Sequence, residues 1–98
     1  CSSDLILSQE EINSIPEARR AEYVAGRFAA KEALAKATDK KFTLTAVTVT
    51  NDSKGKPFFK GDFFSNELAG HKAHLSITHD TDYAAAFVVI ETTDEAKI

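Results

Sequence analysis

Between Pro16 and Thr38 the chain holds one long, alanine-rich run with no proline inside it. Alanine costs no side-chain entropy in a helix, so this run is intrinsically strong. Pro16 sits where a first turn tolerates proline, and Glu17 lies near the positive end of the helix dipole. A helix of this length reaches roughly 30 Å, the span of a small domain. With 98 residues in all, the remaining elements have one surface on which to pack. Gly26 is the weak point of the run. A mid-helix glycine is costly, so its place predicts close approach of another backbone.

The flanking segments are short. Residues 4–7 form an apolar lead-in. Ser8 followed by Glu11 spells a capping box, which predicts a short helix from about residue 9. That helix should stop by Ser14 or Ile15, because the residue before Pro16 is pushed out of helical geometry. After a polar loop at 39–41, residues 43–50 largely alternate apolar and polar, the pattern of a half-buried strand. Residues 51–57 read as a turn, and Phe58-Phe59 opens the next strand. A short helix is expected at 64–70. Residues 74–79 alternate as a strand, 80–82 turn, and 83–90 form a nearly continuous apolar strand expected at a sheet centre. The last eight residues are polar and are expected to fray. The order, helices and then antiparallel strands, predicts an α+β fold: a single domain over 1–98 with a long helix on a small antiparallel sheet. Its core would be thin, and oligomerisation would help it.

Charge is segregated. Residues 19–60 carry ten basic and four acidic side chains, whereas 61–98 carry two basic and seven acidic ones. The pattern fits either two solvated faces or a cationic site for an anionic ligand. One cysteine, Cys1, excludes an internal disulfide and suits a reducing cytoplasm. A cysteine at position 1 also matches a lipidated residue left by signal cleavage, though helix signals follow it directly. No segment approaches the length of a membrane span, and no signal peptide is visible.

Glu32 is the residue that demands an explanation. On a helical wheel it falls among Ala21, Ala25, Phe28 and Ala35, all small or apolar. It is therefore expected to point where the protein packs. A carboxylate there is costly unless paired or bound to a metal. Lys36, four residues on, could pair with it; a metal flanked by Arg27, Lys31 and Lys36 is the other reading.

Three motifs follow one another: Gly26-Arg27-Phe28-Ala29-Ala30-Lys31-Glu32-Ala33, Gly55-Lys56-Pro57, and Leu75-Ser76-Ile77-Thr78-His79-Asp80 with Tyr83-Ala84-Ala85-Ala86. Together they resemble the holo-[acyl-carrier-protein] synthases, the bacterial 4′-phosphopantetheinyl transferases of fatty-acid synthesis. The resemblance covers roughly residues 5–91. It implies transfer of phosphopantetheine from coenzyme A to a serine of acyl carrier protein, with release of adenosine 3′,5′-bisphosphate. It implies Mg²⁺ as cofactor, coenzyme A as substrate, a homotrimer with sites between subunits, and a cytoplasmic enzyme with neither nucleic-acid nor membrane partners. A non-catalytic module of the same fold, binding coenzyme A or the carrier protein, is the alternative.

By the same resemblance Glu32 is a metal ligand, Glu32 and Lys36 are catalytic residues, and Lys36 lies near the pyrophosphate. Arg19 and Arg27 meet the 3′-phosphate, His79 lies near the coenzyme A phosphates, and Gly55, Lys56 and Pro57 lie beside the adenine. Asp39-Lys40-Lys41 stands where the family has glycine. The family's first strand, with a second metal-ligand Asp, and its basic first helix, which docks the carrier protein, have no counterpart here. The chain also lacks Met entirely. On this reading it is a fragment. Alone, it should be inactive and prone to associate, with another strand covering the edge of 83–90.

Overall fold

The computed structural model describes residues 5–38, 41–63, 71–79 and 83–92. Helix α1 spans Gln9–Asn13. The predicted capping box is present in both directions: Glu11 N donates to Ser8 Oγ at 3.3 Å, and Ser8 N donates to Glu11 Oε1 at 2.8 Å. Pro16 is extended, and one 3₁₀ turn at Glu17–Arg19 leads into helix α2, Arg20–Thr38. The long helix therefore starts a turn later than its sequence suggests.

Residues 43–50 do not form one strand. Leu44–Ala46 is a 3₁₀ turn, and strand β1 is Thr48–Asn51. The alternation is real, but the Leu44 carbonyl accepts from Lys31 Nζ at 2.8 Å. A tertiary donor thus takes an acceptor that a ladder would otherwise use. Strand β2, Pro57–Lys60, pairs antiparallel with β1 in the register Asn51↔Pro57 to Thr48↔Lys60. The turn between them is closed by Asp52, whose Oδ1 accepts from Lys54 N and Lys56 N. Gly55 sits there at φ +85°, a conformation natural to glycine.

Strand β3 is His71–His79 and strand β4 is Ala84–Thr92, paired antiparallel from His71↔Thr92 to His79↔Ala84. Both are longer than expected, and β4 includes two of the residues expected to fray. The helix expected at 64–70 and the turn at 80–82 lie outside the described residues. Among the described residues there are two two-stranded sheets rather than one sheet, and β4 pairs with β3 alone. It is not a strand buried on both faces. Ala86, Val88 and Ile90 pack toward the core, while Phe87 is 70% and Val89 44% exposed. The continuous apolar run hides an alternation of inward and outward positions.

The core joins Ala30 and Leu34 of α2 to Val47, Val49, Phe59, Phe63 and Leu75. The Phe42 and Phe63 rings meet at a centroid distance of 4.7 Å, tilted by 44°. Gly26 faces side chains of β3, not a backbone: a Cβ there would lie 3.5 Å from Ile77 Cγ2. Gly61 is the glycine the fold requires. At φ +132°, an added Cβ would lie 2.7 Å from the Ala46 carbonyl oxygen. Gly61→Ala should therefore cost about 2–3 kcal/mol of stability in urea titration. A loss within experimental error would mean that the 60–63 backbone relaxes freely.

Candidate functional site

Three groups of residues carry the chemistry expected from sequence, and the fold places them in different positions. The first group lines a cleft of about 330 Å³ between the end of α1, the first half of α2, β1 and the end of β3. Arg19, Arg27 and His79 all border it, with Tyr23, Asn51, Glu10 and Glu22. Arg27 and Tyr23 are one helical turn apart, so they share a face. The Arg27 guanidinium lies over the Tyr23 ring, 4.0 Å from its centroid. Arg27 Nη2 donates to Asn51 Oδ1 at 3.2 Å, while Nε is buried with no partner among the described residues. The Tyr23 hydroxyl donates to the Glu11 carbonyl at 3.1 Å. Burial raises the Tyr23 pKa, and Arg27 offsets part of that rise. His79 Nδ1 stands 3.9 Å from Glu22 Oε2.

The second group lies on the outer face of α2. Glu32 and Lys36 line an open groove with Ala25, Phe28, Ala29 and Ala33 on the helix and Ala84–Ala86 on β4. Glu32 does not point inward as its wheel position suggested; it is exposed. The wheel grouped the right residues but chose the wrong side. Ala21, Ala25 and Phe28 are exposed with it, and the buried face is Gly26, Ala30, Lys31 and Leu34. An alanine-rich helix is apolar on several faces, so small residues do not mark the core. No hydrogen bond or ion pair engages Glu32 or Lys36 among the described residues, so the i,i+4 pair is not formed.

The third group, Gly55-Lys56-Pro57, is at the tip of the β1–β2 hairpin and borders neither concavity. Asn51 connects it to the cleft. Its Nδ2 donates to the Gly55 carbonyl at 2.8 Å while its Oδ1 accepts from Arg27.

A buried ionic pair among the described residues was not expected from the sequence. Lys31 is 0% and Glu11 1% exposed, and their Nζ and Oε1 are 2.7 Å apart. Lys31 Nζ also donates to the carbonyls of Ile6 and Leu44, both at 2.8 Å. Three acceptors match the three donors of an ammonium. The other oxygen of Glu11 accepts from Val49 N at 2.6 Å, and Ser8 Oγ accepts from Thr48 Oγ1 at 2.7 Å. Burial lowers the Lys31 pKa, and Glu11 opposes that shift. This knot ties α1 to α2 and β1. It sets the rotation of α2 and hence turns Glu32, the next residue, outward. The available signal was Lys31 itself, which shares a wheel face with Ala30 and Leu34.

Among the described residues no three His, Cys, Asp or Glu side chains converge as a metal cluster. No helix among them is long and apolar enough to cross a membrane.

Comparison with known proteins agrees with the motifs. The sequence profile described as the 4′-phosphopantetheinyl transferase superfamily matches residues 3–88. A holo-[acyl-carrier-protein] synthase of Bacillus pumilus (strain SAFR-032) is 40% identical over 92 residues, covering 89% of this chain and 73% of its relative. One from Bacillus subtilis (strain 168) is 36% identical over 96 residues, covering 91% and 76%. The crystal structure of the Neisseria meningitidis holo-[acyl-carrier-protein] synthase superposes with a TM-score of 0.81 at 31% identity, covering 92% of this chain and 79% of that one. The Helicobacter pylori enzyme in complex with coenzyme A superposes at 0.74 and 25% identity, covering 90% and 79%.

Proposed function

Since the chain belongs to the 4′-phosphopantetheinyl transferase superfamily, among the holo-[acyl-carrier-protein] synthases, we propose that it transfers phosphopantetheine from coenzyme A to a serine of acyl carrier protein. The serine hydroxyl attacks the pantetheine-side phosphorus of the pyrophosphate. A phosphodiester forms, the P–O bond to the nucleotide breaks, and adenosine 3′,5′-bisphosphate leaves while the serine proton passes to a base. Little covalent chemistry falls to the protein, so its task is to position phosphates and neutralise charge.

Arg27 carries the reading of the cleft. It is a planar cation held at the wall of a concavity that also receives Arg19 and His79. Such a fork can grip a phosphate with two parallel hydrogen bonds. We assign Arg19 and Arg27 to the coenzyme A 3′-phosphate and His79 to the neighbouring phosphates. Gly55, Lys56 and Pro57 are assigned to the adenine side, toward which Asn51 links the cleft.

Glu32 and Lys36 are assigned to the pyrophosphate. A single exposed carboxylate with no partner among the described residues is a hard oxygen donor of the type Mg²⁺ takes, since that ion keeps several waters and binds few carboxylates. When bound, Mg²⁺ would neutralise charge on the pyrophosphate oxygens. Lys36 adds an ammonium one turn along the same face. Among the described residues of one chain, the two groups assigned to phosphates line separate concavities. The exposed Phe87 and Val89 on β4 supply an apolar face beside the groove. Both observations favour association of subunits, and the homotrimer, with neighbouring subunits completing each site, is our reading of that association.

The ligand assignment is tested by comparing coenzyme A with 3′-dephospho-coenzyme A. Arg27→Ala should weaken coenzyme A binding by about 1.5–3 kcal/mol and dephospho-coenzyme A binding far less, as read by calorimetry. Equal losses for both ligands, at both Arg19 and Arg27, would refute the 3′-phosphate assignment.

A further inference from the structure

We propose that Tyr23 and Asn51 are positioning residues that fix the Arg27 guanidinium for a terminal phosphate, and so set the preference for a ligand carrying that phosphate. The inference rests on the reading of the cleft as the 3′-phosphate site. A free arginine loses much rotamer freedom when it closes on an anion. Here that freedom is already restricted from two directions. The Tyr23 ring supports the guanidinium face at 4.0 Å, and Asn51 Oδ1 holds its edge at 3.2 Å.

Both supports are themselves anchored. The Tyr23 hydroxyl donates to the Glu11 carbonyl at 3.1 Å, which ties the ring to the end of α1. Asn51 Nδ2 donates to the Gly55 carbonyl at 2.8 Å, which fixes the amide so that its oxygen faces Arg27. The unpartnered Nε of Arg27 points the same way. A buried donor without an acceptor is costly, and a mobile arginine would swing into water to satisfy it. This one stays stacked, with one of its two Nη groups held by Asn51. The sequence does not single out Tyr23, and Asn51 falls in the segment 51–57 that reads as a turn.

The test is a specificity ratio: kcat/KM for coenzyme A divided by kcat/KM for 3′-dephospho-coenzyme A, measured with apo acyl carrier protein. Tyr23→Leu should lower this ratio about fivefold, the scale of a lost cation–π contact. Tyr23→Phe, which keeps the ring, should restore most of it. Asn51→Ala, at an exposed position, should lower the ratio in the same direction and carries the test if Tyr23→Leu does not fold. In an Arg27→Ala background, Tyr23→Leu should change the ratio no further, because the tyrosine acts through the arginine. If Arg27→Ala collapses the ratio while folded Tyr23→Leu and Asn51→Ala both leave it unchanged, the positioning role is wrong and the phosphate reading stands. If Arg27→Ala itself leaves the ratio unchanged, the phosphate reading fails and this inference fails with it.

Discussion

Glu32→Gln is expected to reduce phosphopantetheine transfer on the order of a thousandfold, the scale seen when a preorganised electrostatic group is removed from a reacting centre. The fold should be unaffected. Glu32 is exposed, has no partner among the described residues, and is replaced by a residue of nearly equal helix propensity. The check pairs turnover across a magnesium titration with thermal melting. Unchanged melting with lost turnover supports the assignment. Near-normal turnover by the folded variant would remove Glu32 from the metal site.

The second large effect is on stability. Lys31→Met should cost about 3–5 kcal/mol, because it leaves the Glu11 carboxylate buried without its cation. The carbonyls of Ile6 and Leu44 lose their donor at the same time. Against a typical domain stability of roughly 5–15 kcal/mol, such a loss is severe. The same principle makes the double change Lys31→Met with Glu11→Leu less damaging than the single one, since no unpaired charge remains. Urea titration of the single and double variants beside the parent protein separates the possibilities. A small loss for Lys31→Met alone would mean that Glu11 finds water or another donor, and that the knot does not hold α2 in place.

The sequence made local features readable where local chemistry decides them. The Ser8–Glu11 capping box and the Asp52–Gly55 turn both follow from interactions within a few residues. It failed where a distant partner decides. Residues 44–46 turn instead of extending because a lysine from α2 takes a carbonyl there. Glu11 read as a capping residue, and its capping oxygen also receives Lys31 while the other receives β1. The outward facing of Glu32 could not be read from its neighbours, since alanine suits a buried or an exposed helix face equally well. The candidate site residues were named because their motifs resemble a family. Their separation into a cleft, a groove and a hairpin tip is a property of the fold.

That separation makes the transfer reaction itself the central claim to test. The protein produced from its own gene should be incubated with apo acyl carrier protein, coenzyme A and Mg²⁺, and the carrier followed by mass spectrometry. The account predicts that the carrier gains one phosphopantetheine on a serine, with matching release of adenosine 3′,5′-bisphosphate, and that chelating the divalent cation stops both. A folded protein that binds coenzyme A yet leaves the carrier's mass unchanged would contradict it.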